Sequence, residues 1–176
     1  MIGNLIARAF QLLCGAVVLG LSISAIKWQY FGSAPATTSY SAFAGAFGVL
    51  AALIGIAASF VEAIPEIIMV GVDGLAAVLL LAGGLAFAIG LKGVTCNDDV
   101  STYENFLLNG GCQKSGSDVY CGVDTTNYYA VLSGRCRTAE ADSAFLFLGF
   151  LASLAAAALC FLASRRGGRG VKSSAV

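Results

Sequence analysis

Four long apolar runs, separated by polar connections, set the pattern of the chain. Ala9 to Ile26 carries no charge and extends back to Ile2 when Arg8 is accepted near its end. Tyr40 to Val61 carries none, Ile67 to Leu91 only Asp73, and Ser143 to Ala163 none. As helices, runs of this length reach roughly 27–37 Å, enough for a hydrocarbon core of ~30 Å. Each is apolar on every side, unlike a soluble helix with one wet face. A soluble bundle would need polar helices to cover them, and the pattern offers none. It predicts an all-α membrane protein, a four-transmembrane-helix bundle over 1–163. The helices fall at about 2–26, 40–61, 66–91 and 139–163, with a loop over 92–138 and a basic tail over 164–176.

The connections agree with this division. Trp28, Tyr30 and Tyr40 flank the first, as interfacial aromatics do. Glu62, Pro65 and Glu66 mark a very short second one, with Pro65 placed to start the third helix. Thr138 is positioned to cap the fourth, with Glu140 and Asp142 in its first turn. Ala34-Pro35-Ala36 mimics a signal-peptide cleavage site, but the preceding run is long and ends in Trp28, Tyr30 and Phe31, so it reads as a retained helix.

Composition narrows the chemistry. Apolar residues make up 58% of the 176 and charged ones 11%; there is no His, and the formal net charge is zero. The missing His removes His-based triads, general bases and metal sites. A zero balance with no basic block argues against a nucleic-acid partner. The chain reads as non-enzymatic, with no cofactor and no metal.

Charge alone leaves orientation undecided. With both termini inside, Arg8, Arg165, Arg166, Arg169 and Lys172 oppose Lys27, Lys92, Lys114, Arg135 and Arg137 across the membrane, five against five. Cysteine breaks the tie. The third connection holds Cys96, Cys112, Cys121 and Cys136, without CxxC spacing, and reads as a disulfide-bearing extracellular loop. Four cysteines allow three pairings. Cys96 and Cys136 each lie near a helix end, which favours their pairing, with Cys112 and Cys121 then pinning an inner hairpin. Cys14 reads as a packing residue, and Cys160, near the basic tail, is a candidate for palmitoylation.

Asp73 and Arg8 each lie six residues past a helix start, about 9 Å deep. Intramembrane charges are costly, so an ion pair between them is expected, with a proton or ion relay as the alternative. Small residues recur every four positions: Ala16, Gly20 and Ser24; Ala44, Gly48 and Ala52; Gly55 and Ser59; Ala82, Ala86 and Gly90. This spacing suits close helix packing, within one bundle or between copies. Arg165, Arg166, Arg169 and Lys172 suit anionic lipid, or a stop signal that sets topology. The ending Ser174-Ala175-Val176 suits a carboxylate-recognising partner.

Three groups of residues form a wider pattern: Arg8, Pro65 and Asp73; Ala88-Ile89-Gly90-Leu91-Lys92 leading to Cys96; and Gly134-Arg135-Cys136-Arg137-Thr138-Ala139-Glu140-Ala141 entering the fourth helix. In these the chain resembles the MARVEL-domain tetraspan proteins, most closely their small fungal branch, the non-classical export proteins. The resemblance covers nearly the whole chain. The loop is longer than is typical of that branch, and Cys112 and Cys121 are additions that the resemblance does not support. Claudins would need a cysteine pair in the first loop, where Ser33 to Ser39 has none; tetraspanins would need a Cys-Cys-Gly run, of which only Cys121-Gly122 is present.

The resemblance implies a multi-pass protein of the plasma membrane with both termini cytoplasmic, in the microdomains called eisosomes. It implies a non-enzymatic role in organising lipids and proteins there, linked to sphingolipid status and unconventional secretion. Expected partners are membrane lipids, sphingolipid or sterol among them, further copies of the chain, and cytoplasmic scaffold proteins. Two readings compete. A small channel or transporter subunit would use Asp73 facing a hydrated cavity, and a thiol oxidoreductase would need a reactive cysteine pair.

Overall fold

The structure, a computed structural model, describes residues 2–60, 65–123 and 127–170. Glu62, Lys172 and Ser174 to Val176 lie outside the described residues, as do the side chains of Arg166 and Arg169. The elements are α1 (Ile2–Lys27), α2 (Ala36–Ala58), α3 (Glu66–Gly90), α4 (Asp99–Glu104), β1 (Cys112–Ser115), β2 (Asp118–Cys121) and α5 (Tyr128–Gly170). Four of them, α1, α2, α3 and α5, are long and apolar enough to cross a membrane. Pro35 and Pro65 stand at the N-caps of α2 and α3 with extended ψ, as expected of a residue that lacks an N–H and cannot continue a helix backwards. α2 thus begins at Ala36 rather than at 40.

The start of the last helix needs a larger correction. α5 begins at Tyr128, eleven residues before 139, and continues past 163 to Gly170. Thr138 is therefore no cap; it is interior, its hydroxyl donating to Gly134 O at 2.8 Å. Glu140 and Asp142 lie beyond the third turn. Leu132, Cys136 and Ala139 are buried at steps of four and three, so the polar-looking segment 128–138 is an amphipathic extension whose apolar stripe packs inward.

The spanning helices form a ring in which α1 packs on α2 and α5, and α3 packs on α2 and α5. Their inward positions step by three and four: Arg8, Gln11, Gly15, Val18 and Ser22 on α1; Thr38, Ser41, Gly45, Gly48, Ala52 and Gly55 on α2; Met69, Asp73, Ala76, Leu80, Gly83 and Phe87 on α3. A 3.5-residue period keeps one seam facing its neighbours in a left-handed bundle. At mid-height Leu80 fills the space left by two glycines: a Cβ on Gly48 or Gly149 would sit 3.6 or 3.3 Å from its Cδ1.

The segment between α3 and α5 is a small cap. Asn105 Nδ2 donates to Gly90 O at 2.7 Å, closing the end of α3. Leu107 and Leu108 join a core with Phe87 and Leu132. Cys96 bonds to Cys136 across 40 residues, and Cys112 to Cys121 across nine, the latter directly opposed in the β1–β2 hairpin. That hairpin is exposed along nearly its whole length; the disulfide closes a ribbon that buries too little to hold itself.

Candidate functional site: polar layers inside the bundle

All four spanning helices meet in one polar layer. Arg8 and Asp73 form a buried ion pair, 1% and 0% exposed. Arg8 Nη1 also donates to Gln11 Oε1 at 3.2 Å, and Nη2 to Cys160 Sγ at 3.4 Å. Gln11 Nε2 donates to Asp73 Oδ1 at 3.4 Å and to Ser153 Oγ at 3.0 Å. α2 supplies no partner but supplies room, because the guanidinium lies where a side chain on Gly55 would be. The arrangement ties α1, α3 and α5 through one cation and one carboxylate, with Gln11 serving both. Asp73 therefore faces Arg8 and Gln11, and the Leu80 layer closes the core above it.

A second layer was missed in the sequence. Ser22 Oγ donates to Asp142 Oδ2 at 2.7 Å, both residues fully buried. A helix starting at 139 puts Asp142 in its first turn, whereas the start at Tyr128 puts it deep in α5. The signal lay in spacing. Asn4, Gln11 and Ser22 on α1 are separated by seven and eleven residues, and Cys160, Ser153 and Asp142 on α5 by the same steps in reverse. Eighteen residues make five whole turns, so the three polar pairs share one antiparallel seam.

Glycine contacts depart from the four-residue stripes. Gly20, Ala16 and Ser24 are exposed, and nothing lies within 4 Å of a Cβ built on Gly20. Ala82 is likewise exposed and Ala86 only half-buried, so Gly20 and Ala82 are not packing residues of the bundle. The contact faces are rotated: polar Arg8, Gln11 and Ser22 must point inward, and that carries Ala16 and Gly20 outward. Gly15 and Gly45 make the α1–α2 contact, and Gly83 and Gly84 the α3–α5 contact. Gly48 is inside as expected, and Gly90 abuts Leu107, 2.6 Å from where its Cβ would lie.

With four apolar helices and their buried charges in place, comparison with protein families is decisive. Residues 2–159 match MARVEL, the membrane-associating domain. The chain belongs to the MARVEL family. Comparison with curated proteins and with solved structures gave no significant match. The MARVEL assignment makes it a multi-pass, membrane-associating tetraspan, of a family that is generally non-enzymatic.

In this MARVEL chain Cys96, Cys136 and Glu140 lie together, but the two sulfurs are bonded to each other and are not free thiolates for a metal. Cys14 is a buried free thiol within α1, and Cys160 is half-buried against Arg8. At the basic end, Arg165 stacks over Phe161 at 4.7 Å. At the opposite end a cleft of about 580 Å³ opens between the α1–α2 corner and β2, lined by Lys27, Trp28, Tyr30, Tyr120 and Arg135 among others. The Arg135 guanidinium lies 5.6 Å from the Trp28 ring centroid, a feature that the isolated positions of Trp28 and Arg135 did not reveal.

Proposed function

We propose that this MARVEL protein is a non-catalytic organiser of the plasma membrane, self-associating through its lipid-facing helix surfaces to gather lipids and proteins into microdomains. The observation that carries the reading is the division of labour among polar and small residues. Arg8, Gln11, Asp73 and Ser153 are consumed in holding the helices to one another, while Ala16, Gly20 and Ser24 stand outward on α1. An outward small-residue face allows close approach by a second helix in lipid. In the finer form of the proposal the chain is of the fungal non-classical export branch. It works in eisosome-like patches that answer to sphingolipid status or serve unconventional secretion, and it recruits sterol or sphingolipid and cytoplasmic scaffolds.

Orientation belongs to the same proposal. Two disulfides favour an oxidising compartment for the cap, which leaves Arg8, Arg165, Arg166, Arg169 and Lys172 on the cytoplasmic side, beside anionic lipid. The test is energy transfer between donor- and acceptor-labelled protein in vesicles of phosphatidylcholine, phosphatidylserine and ergosterol. Transfer is expected to rise with protein density beyond the random-proximity curve and to fall in Gly20→Leu. Transfer on the random curve at every density would overturn self-association.

A further inference from the structure

We propose that the cleft between the α1–α2 corner and the disulfide-closed hairpin binds a phosphate ester, namely the headgroup of a phospholipid in the leaflet on that side. The cleft is lined by none of the residues Ala16, Gly20 and Ser24 invoked for self-association. Its volume of about 580 Å³ falls within the usual range of small-ligand sites. Lys27 and Arg135 line it, and no acidic side chain does so among the described residues. That balance selects an anion.

Position selects a lipid. Lys27 is the last residue of α1, and Trp28 and Tyr30 follow where the apolar span ends, the level at which amphipathic rings and headgroups meet. Tyr30 and Tyr120 remain 77% and 56% exposed, forming walls with a wet edge.

The cleft is also built in advance. Tyr30 N and Phe31 N both donate to Gly110 O, at 2.8 and 3.1 Å, and Gly122 N donates to Gly111 O at 2.8 Å. Gly110 and Gly111 have φ of 72° and 82°, and a Cβ on Gly110 would lie 2.6 Å from Gly122 O. Only glycine allows this closeness and this backbone. Arg135 is fixed from beneath, donating to Leu108 O at 2.9 Å and to Gly122 O at 3.3 Å while stacked on Trp28. A guanidinium has five N–H donors, so donors remain for a phosphate oxygen, and the arginine need not be ordered on binding.

Trp28 is the only tryptophan in the chain, which makes its fluorescence a reporter of the cleft. The disulfide-intact full chain, in maltoside micelles, is titrated with dihexanoyl phosphatidylglycerol, with dihexanoylglycerol and with inorganic phosphate. Expected is a saturable change with the phospholipid and none with dihexanoylglycerol. Lys27→Gln should raise the midpoint by roughly tenfold, the scale of one hydrogen bond to a charged group. Arg135→Lys, which keeps the charge but loses the fork, should also raise it. No saturable change, an equal response to dihexanoylglycerol, or an unmoved midpoint in Lys27→Gln would overturn the site. A response to inorganic phosphate at the phospholipid's own midpoint would overturn the lipid as its source. Because micelles separate the copies, failure here is distinct from failure of self-association.

Discussion

Arg8 and Asp73 share a buried space with Gln11 and Ser153, and the energetic weight of the pair lies in what either leaves behind. Asp73→Ala strands a guanidinium away from water, and breaking a buried pair this way costs about 3–5 kcal/mol. Arg8→Leu with Asp73→Leu removes both charges while Gln11 keeps Ser153, so most of the loss should be recovered. Unfolding in mixed micelles measures it, and additive losses would mean that the two residues are not coupled. The pair was legible because equal depth from two helix starts put two charges on one level. Gln11 and Ser153 were not, since an amide and a hydroxyl inside apolar runs break no pattern. Asp142 was hidden for a different reason: an acid near the start of a hydrophobic run looks like a favourable first-turn residue until the helix is known to begin at Tyr128.

At the scale of elements, the four spans and the proline start of α3 could be read directly, because length and hydropathy suffice in a membrane. Which face of each helix turns inward could not, because lipid and core are equally apolar and alanine suits both. The deciding signal is the three-and-four repeat of polar and glycine positions, which rotates α1 so that Gly15 meets α2 and Gly20 faces outward. Paired substitutions separate the two faces. A Cβ on Gly45 would lie 2.8 Å from Leu19 N and 2.9 Å from Val18 Cγ1. Gly45→Ala should therefore push α1 from α2 and cost roughly 1–3 kcal/mol, as overpacking does. Gly20→Ala meets nothing within 4 Å and should be neutral, or stabilising by up to about 1 kcal/mol through helix propensity. Thermal unfolding of both variants in detergent decides this. Equal losses would return the packing face to the Ala16, Gly20 and Ser24 stripe.

Across the whole molecule, the cap couples the loop-side ends of all the spans. Leu107 and Leu108 extend the bundle core beyond Phe87, Gly110 holds the α1–α2 corner, and the Cys96–Cys136 bond fastens the exit of α3 to the third turn of α5. The two disulfides therefore differ in consequence. In the chain-entropy relation a 40-residue closure stabilises by about 4 kcal/mol and a nine-residue one by about 2.6 kcal/mol. The longer one also restrains a buried junction, Cys136 being 1% exposed, whereas the shorter restrains an exposed ribbon. Cys96→Ser with Cys136→Ser should lower the unfolding midpoint of the whole bundle and shift Trp28 emission. Cys112→Ser with Cys121→Ser should lower the bundle midpoint by less and disturb mainly the hairpin and the adjoining cleft. The same bonds test orientation. On intact cells, a membrane-impermeant phosphine followed by a membrane-impermeant maleimide should label the cap cysteines, and the maleimide alone should not. Labelling only after permeabilisation would place the cap on the reducing side and invert the proposed topology, because a long-lived structural disulfide follows the redox state of its compartment. Labelling of intact cells without reductant would instead place the cap outside with free thiols and overturn the bonds themselves.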